Sequence, residues 1–341
     1  YQRRVREVQT LNYHVEQIKR LIPFDQQNTC YSPFSLMHVL LLLSYTSNDE
    51  AIQQMLQVLH LDQETFKSLS LSLTLEQSVV QLASNIFLNH PELVNPHFSQ
   101  QILSIFGVTP QQLISAQQVN KWCAEHTNNK IQSIIASISG LSVLLISAIH
   151  FKDQWKRKFD VNKTSSKIFY GKSGQTQKQM MNTKDKIMYK ETDNAQIARL
   201  EYNSTFTALI ILPKASLSEA LTQENLSIQL HWETLVLELP KFKVESSFDL
   251  SQILQNLGVH QIFNGIESQN TLGQNLAVNQ IVQKTFIQVD EDGTEAAAVT
   301  AIMMRTGCAV KKQNIEMICN KPFWFVLQKD GAAIFVVSIV E

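Results

Sequence analysis

The hydrophobic positions of the chain follow a helical period in some stretches and a strand period in others. Near the start, apolar residues recur at Val5, Val8, Leu11 and Val15, which is the spacing of an amphipathic helix packed against a core. A second helix is expected after the Ser-Pro start at Ser32-Pro33, and it is apolar on almost every face, as in a buried central helix. The same period predicts helices at 96–106, 117–135 and 250–257.

The strand period dominates the second half of the chain. Val143 to Phe151 is a continuous apolar run bounded by turn signals, which is typical of a strand buried on both faces. No linker, repeat or low-complexity tract separates helices from strands, so we expect one α+β domain over residues 1–341, although length alone favours two. Further strands are predicted at 79–88, 187–189, 195–202, 206–212, 234–239, 242–246, 281–289, 323–327 and 333–340.

Composition and charge narrow the possible functions. Of the 341 residues 44% are apolar and 17% are charged, which is enough for a large core, and the net charge is only -1. This bulk charge predicts neither a nucleic-acid nor an anionic-membrane partner, and the longest apolar run, Val39–Leu43, is too short to span a bilayer. The sequence lacks a nucleophile elbow, a zinc-helix motif and a phosphate loop, so an enzyme is not expected.

Neither the cysteines nor the nine histidines have the spacing of metal ligands, so no metal or other cofactor is predicted. The chain begins at Tyr1 without an initiator methionine, so we expect its natural start to be missing. Both a secreted protein whose signal peptide has been removed and a cytoplasmic protein stay open. The four cysteines are Cys30, Cys123, Cys308 and Cys319.

The stretch from Glu291 to Ala301 fits two incompatible patterns. The Glu-Ala-Ala-Ala segment is a good helix former, and Thr294 after Gly293 is suited to cap such a helix. As a strand, the same stretch has one face made only of small residues, which would let it enter between two existing strands. The small face consists of Thr294, Ala296, Ala298 and Thr300, and the other face of Glu295, Ala297 and Val299.

The chain resembles the serpin family, whose inhibitory members trap serine proteases, and the resemblance covers essentially the whole sequence. The motifs that carry it are Asn28 with Ser32-Pro33-Phe34-Ser35, Asn85-Ile86-Phe87-Leu88, Asn120-Lys121-Trp122 with Thr127-Asn128-Asn129-Lys130-Ile131, Ile149-His150-Phe151-Lys152-Asp153-Gln154-Trp155, Met180-Met181, Leu212-Pro213, Leu239-Pro240-Lys241-Phe242, Leu257-Gly258-Val259 and Asn320-Lys321-Pro322-Phe323.

The resemblance implies a fold of three β-sheets with eight or nine α-helices and an exposed reactive-centre loop at residues 291–312. It implies a monomeric suicide-substrate inhibitor, whose cleaved loop inserts into the large sheet while the target serine protease is held in a covalent complex. A non-inhibitory serpin with a carrier, chaperone or storage role is the alternative, and so is a cross-class inhibitor of cysteine proteases. The hinge of the loop is expected at Glu291, Gly293, Thr294, Glu295, Ala296, Ala297, Ala298 and Thr300.

The sequence leaves the scissile bond open among three positions. Counting from Gly293 as in typical family members places the residue before the cut at Gly307, in the Thr306/Gly307 region. Side-chain chemistry instead favours Arg305 for a trypsin-like target or Met304 for a chymotrypsin-like target. Either choice shortens the segment available for insertion.

Two further expectations come from the resemblance. The family usually has an Asn and a His where the sheet opens, and the matching residues here are Ser147 and Gln283, which would act with Ser32 and Ser35 as the sheet-opening region. The resemblance also pairs Lys241 with Glu291. Between residues 61 and 79 the chain is shorter than in members with a basic heparin-binding helix, so heparin activation through that segment is not expected.

Overall fold

A computed structural model describes residues 2–45, 48–64, 66, 78–264, 277–294 and 315–341 of the chain. These residues form eight α-helices, three short 3-10 turns and sixteen strands. None of the helices among them combines the length and apolar character needed to cross a lipid bilayer. The helices are α1 Gln2–Ile18, α2 Pro33–Ser44, α3 Asp49–Leu59, α4 Pro96–Phe106, α5 Ala116–His126, α6 Leu217–Ala220, α7 Gln223–Leu226 and α8 Leu250–Leu257.

The strands lie in both halves of the chain, and three of them are only two residues long. They are β1 Thr29–Tyr31, β2 Val80–Leu88, β3 Gln111–Gln112, β4 Val143–Phe151, β5 Asp153–Gln154, β6 Ser165–Gly171, β7 Gly174–Glu191, β8 Ala195–Glu201, β9 Phe206–Pro213, β10 His231–Pro240, β11 Phe242–Asp249, β12 Gln280–Val289, β13 Gly293–Thr294, β14 Ile315–Ile318, β15 Phe323–Lys329 and β16 Ala332–Ile339.

The first of two compact units comprises Tyr1–His14, Ser32–His150 and Glu245–Phe286. In it β3, β2, β4 and β12 are hydrogen-bonded in that order, and β11 also pairs with β12. The predicted apolar helix is α2, in which ten of twelve residues are buried. Ser32 caps it by accepting a hydrogen bond from the backbone N–H of Ser35, and Pro33 occupies the first turn, as the Ser-Pro pair predicted.

The second unit comprises Val15–Tyr31, Phe151–Val244 and Ile287–Glu341. Its main sheet has the strand order β1-β16-β15-β9-β8-β7-β10-β14, with β6 also paired to β7. The 18-residue β7 pairs with β6 and β10 along most of its length and with β8 at its end. β7 thereby joins β6, β8 and β10 in one nine-stranded sheet, so the described residues form two hydrogen-bonded sheets where the resemblance implied three.

The predicted helix at 117–135 is wrong beyond residue 126. After α5 ends at His126, Asn128 and Asn129 adopt left-handed φ angles of 50° and 59°, which stop the helix. The Asn120 side-chain oxygen then accepts the backbone N–H groups of Ile134 (2.8 Å) and Ile135 (3.0 Å) and so holds an irregular segment in place. The hydrophobic period was therefore a correct signal of burial, but not of helical backbone.

The hairpin of β6 and β7 extends far beyond the three residues predicted there. The sequence predicted a strand only at residues 187–189. β7 in fact begins at Gly174, opposite Gly171 at the end of β6, and the two strands pair as far as Met180 and Ser165. Most side chains in this hairpin are exposed and polar, so neither face has the alternation on which strand prediction depends.

Two histidines, the buried His14 and the half-buried His38, predict how the stability of the uncleaved protein depends on pH. Burial lowers the pKa values of His14 in α1 and His38 in α2 from 6.5 to about 4. The unfolded chain binds protons below pH 6.5 that the folded chain does not bind until about pH 4, so stability is complete above pH 6.5 and falls between these values. The loss approaches roughly 3 kcal/mol for each histidine.

Thermal unfolding measured from pH 7 to pH 4.5 tests this dependence. We expect His38→Leu to flatten it, because one proton-linked group is removed. The control His97→Gln, at an exposed position of α4, should leave the dependence unchanged. An identical decline in the parent and in His38→Leu would show that another group is responsible.

Candidate functional site

The candidate site begins where the chain leaves β12 and reverses direction through a short turn. The backbone N–H of Asp290 donates to the carbonyl of Gly293 (2.9 Å), and Thr294 lies opposite Val289 in an antiparallel pair. On its other side β13 pairs antiparallel with β5, with Gly293 opposite Gln154 and Thr294 opposite Asp153. Gly293 and Thr294, which we call the arm, are thus already hydrogen-bonded to the end of β12 on one side and to β5 on the other.

Gly293 is required by the close approach of this arm to β5. Its φ angle is 152°, a conformation that residues with a side chain rarely adopt. A Cβ atom at this position would overlap the Asp153 carbonyl oxygen and come within 2.6 Å of the Gln154 Cα atom. The glycine that the sequence placed in the hinge therefore has a physical reason in the uncleaved form.

Thr294 is fully buried, and its hydroxyl shares a 2.7 Å hydrogen bond with the hydroxyl of Tyr202. The Tyr202 ring stacks on Trp155 with 4.2 Å between ring centroids, and Trp155 Nε1–H donates to the carbonyl of Asp290 at 2.9 Å. Burial raises the pKa of Tyr202 well above its ordinary value, although the hydrogen bond to Thr294 acts in the opposite direction. The tyrosine therefore stays protonated and holds the first inward-facing hinge residue.

Glu291 anchors the turn before the arm, and the expected ion pair with Lys241 forms at 2.7 Å. Its carboxylate also accepts a hydrogen bond from Thr164 Oγ1 at 2.8 Å. Burial raises the pKa of the Glu291 carboxyl, but these two partners outweigh burial and the pKa lies below its usual value. Because the Lys241 side chain is 40% exposed, we assign the ion pair at most about 1 kcal/mol.

A second cluster joins the start of α2 to β2 and β4 in the first unit. Ser35 Oγ and Ser147 Oγ share a hydrogen bond of 2.7 Å, and Ser84 Oγ lies 3.2 Å from Ser147 Oγ. Ser35 and Ser147 are completely buried. Their hydrogen bonds satisfy hydroxyl groups that would otherwise be costly inside the protein.

Gln283 completes this polar cluster from β12, where it lies directly opposite Ser147 of β4. Its Nε2 donates to the Ser32 carbonyl (2.9 Å) and to Ser35 Oγ (3.1 Å), while its Oε1 accepts from the Ser32 backbone N–H (3.1 Å). The structure therefore brings Ser32, Ser35, Ser147 and Gln283 together, as the sequence placed them. Their role in sheet opening stays a prediction.

Most of the predicted loop lies outside the described residues. This applies to the hinge residues Glu295, Ala296, Ala297, Ala298 and Thr300 and to the reactive-bond candidates Met304, Arg305, Thr306 and Gly307. Much of the short segment between 61 and 79 also lies outside them. Within the described ranges, no group of three His, Cys, Asp or Glu side chains is arranged to hold a metal ion.

No pattern in the sequence marks three residues that complete these clusters, namely Thr164, Tyr202 and Ser84. Each is far from its partner in the chain, and each is an ordinary polar residue in its own segment. Tyr202 follows β8, and only folding brings it to Thr294, 92 positions away. A rule based on local spacing cannot find such contacts.

Comparison with known proteins agrees with this geometry. The family model for serpins, described as serine protease inhibitors, matches residues 12–341. Antitrypsin of Bombyx mori is 30% identical over 335 residues, with 89% of this chain and 86% of the relative covered. Serpin48 of Tenebrio molitor superposes with a TM-score of 0.85 at 24% identity, covering 98% of this chain and 97% of that one. Human thyroxine-binding globulin gives 0.84 at 20% identity, covering 100% and 98%.

Proposed function

Because this chain belongs to the serpin family and has the serpin fold, we propose that it is a suicide-substrate inhibitor of serine proteases. Most members of the family inhibit proteases and do not catalyse a reaction of their own. In this proposal the whole chain acts as one monomeric domain, and residues 291–312 form the reactive-centre loop.

One observation carries the proposal: the arm at Gly293–Thr294 is already paired antiparallel with the end of β12 and with β5. β5 follows β4 along the chain, separated from it by Lys152 alone. β4 and β12 are direct parallel neighbours over seven residue pairs, from Gln280–Leu144 to Phe286–His150. In the uncleaved protein β4 and β12 are therefore direct neighbours, and the arm pairs with the end of β12 without a gap between β4 and β12 into which it could extend.

Cleavage would free this strand to grow between β4 and β12. Because the arm reverses at the end of β12, it runs antiparallel to β12 and to the parallel strand β4. Insertion replaces one parallel ladder with two antiparallel ladders, and antiparallel pairing is the more stable kind per residue. The polar cluster around Gln283 and Ser147 would exchange its hydrogen bonds as the strands separate.

The trap follows from the chemistry of the acyl-enzyme. The protease serine attacks the loop carbonyl, the peptide bond breaks with the amine as leaving group, and an ester joins the protease to the loop. Hydrolysis of that ester requires an aligned base and oxyanion hole. If insertion pulls the bound protease out of alignment by about 1 Å, hydrolysis slows by on the order of a hundredfold.

The class of the target protease depends on which candidate residue precedes the cut. Arg305 would suit a trypsin-like protease and Met304 a chymotrypsin-like one, while the Thr306/Gly307 region stays a third possibility. Two Bombyx mori relatives at 30% identity are named antitrypsin and antichymotrypsin-2, so the relatives support both alternatives equally. The small residues of the hinge support an inhibitor over a carrier, chaperone or storage serpin, because each inward residue must pass between closed strands.

A protease panel tests the proposal. We expect incubation with trypsin, chymotrypsin, elastase or a cathepsin-type cysteine protease to give, for at least one of the serine enzymes, a complex that survives denaturation. The same enzyme with its catalytic serine blocked should form none. Mass spectrometry of the released carboxy-terminal peptide identifies the bond that was cut. Cleaved protein without a covalent complex for every enzyme would support a non-inhibitory role, and a complex only with the cysteine protease would support the cross-class alternative.

A further inference from the structure

Three asparagines of the chain occur in the triplet Asn-X-Ser/Thr, the acceptor pattern for N-linked glycans when X is not proline. The triplets are Asn162-Lys163-Thr164, Asn203-Ser204-Thr205 and Asn225-Leu226-Ser227. The pattern alone does not rank them, because such triplets also arise by chance. The fold does rank them, because a bulky glycan has to extend from the asparagine amide into solvent.

The fold closes the site at Asn225. This residue lies in the short helix α7 and is only 3% exposed. Its Nδ2 donates to the carbonyl of Ala220 at 2.8 Å and to Asn194 Oδ1 at 3.1 Å. A glycan replaces one N–H of this amide and needs room for a sugar ring, so it would remove a buried hydrogen bond and displace packed neighbours. A chain glycosylated at Asn225 would therefore not reach this fold.

Asn203 has the opposite environment, in the four-residue connection between β8 and β9. Its side chain is exposed, and within the described ranges it forms no hydrogen bond with another residue. The backbone of the connection is held by β5, because Asn203 N–H donates to the Gln154 carbonyl (2.9 Å) and Ser204 N–H to Asp153 Oδ2 (3.2 Å). The Asn203 amide can therefore carry a sugar without the loss of any contact in the fold.

Asn162 is also exposed, in the 3-10 turn that precedes β6. Its backbone N–H and its side-chain Nδ2 both donate to Asp160 Oδ1, at 3.0 and 3.2 Å. A glycosylated amide keeps one N–H, so the contact with Asp160 survives the modification. The neighbouring Val161 and Lys163 are exposed as well, so the turn has room for a glycan.

We propose that Asn162 and Asn203 are N-glycosylation sites and that Asn225 is not. In the reaction a bond forms between Nδ2 and the anomeric carbon of an N-acetylglucosamine, and the bond from that carbon to the diphosphate of a lipid-linked oligosaccharide breaks. The diphosphate leaves with the bonding electron pair, and the amide gives up one proton to a basic group of the transferring enzyme. The donor is found in secretory compartments, so the proposal concerns chains that enter them.

Both sites lie beside residues that anchor the arm. Thr164, the third residue of the first triplet, donates to the Glu291 carboxylate at 2.8 Å. Tyr202, which precedes Asn203, shares its hydroxyl hydrogen bond with Thr294. Glycans at the two sites would stand next to these anchors without replacing any of the hydrogen bonds that hold the arm.

Secretion of the full chain from insect cells behind a cleavable signal peptide tests the proposal without a protease. The intact mass of the folded fraction is measured before and after enzymatic removal of N-glycans, which leaves an aspartate at each modified position. We expect two glycans per chain, with aspartate at positions 162 and 203 in the peptide map and asparagine at 225. A glycan at 225 in folded protein, or its absence from 162 or 203, would contradict the assignment.

Variants identify each site separately. Asn162→Gln and Asn203→Gln should each remove one glycan, and the double variant should carry none. Because both side chains are exposed, these variants should keep the Tm of the deglycosylated parent to within a few degrees. The matched control Thr205→Ser preserves the triplet and should retain the glycan of Asn203. Two glycans on Asn203→Gln would place the second one elsewhere and overturn the proposal.

Discussion

Thr294→Arg should convert the protein from an inhibitor of its target protease into a substrate. Thr294 is fully buried in β13 against Tyr202, at the start of the segment that would enter between β4 and β12. An arginine there would bring an unpaired charge into the sheet, at a cost of several kcal/mol. Because insertion competes with hydrolysis of the acyl-enzyme, we expect the covalent complex to fall by roughly a hundredfold or more.

The matched control is Glu295→Arg. By strand alternation Glu295 faces away from the side of Thr294, so an arginine at that position stays outside the sheet. Complex formation should persist in this variant, which should keep the Tm of the uncleaved parent to within a few degrees. Thr294→Arg should lower that Tm, because Thr294 is already buried in the uncleaved protein, so complex formation is compared at a temperature at which both variants are folded. Titration of the target protease gives the number of inhibitor molecules consumed per enzyme trapped. An unchanged number for Thr294→Arg would remove insertion from the mechanism.

The second large effect that we expect is a rise in thermal stability when the loop is cut. If about ten loop residues join the sheet and each ladder hydrogen bond contributes roughly 1 kcal/mol, the cleaved protein gains on the order of 10 kcal/mol. This corresponds to a rise in Tm of roughly 15 °C. The uncleaved protein must then be held by a kinetic barrier, since it is not the most stable form of the chain.

Differential scanning calorimetry of the parent before and after cleavage within residues 303–308 measures this rise. Cleaved Thr294→Arg serves as the control, because its loop is cut but its first inserting residue does not fit. We expect a large rise for the parent and little or none for the variant. A cleaved parent that unfolds at the same temperature as the uncleaved protein would mean that cutting releases no stored stability.

Sequence reasoning predicted the features of this site that depend on local chemistry. The cap of α2 at Ser32 and the buried strand β4 follow from side-chain type and from hydrophobic period. Gly293 was placed in the hinge, and the structure adds the reason, which is the close approach of β5. Alternation also supplied the small face of the loop, although most of that face lies outside the described residues.

The features that were missed depend on contacts between distant parts of the chain. Tyr202 reaches Thr294, and Thr164 reaches Glu291, without any local pattern that marks either residue. The helix predicted beyond residue 126 failed because two asparagines adopt left-handed φ angles and the half-buried Asn120 side chain accepts backbone N–H groups of an irregular segment.

The central claim is that the cut loop becomes a new strand between β4 and β12. In the uncleaved protein Ser147 and Gln283 are directly opposite each other across these two strands. A crystal structure of the loop-cleaved protein tests the claim most directly. We predict that residues from Thr294 onward lie between Ser147 and Gln283 and pair antiparallel with both strands. A cleaved structure in which Ser147 and Gln283 are still direct neighbours would contradict the account.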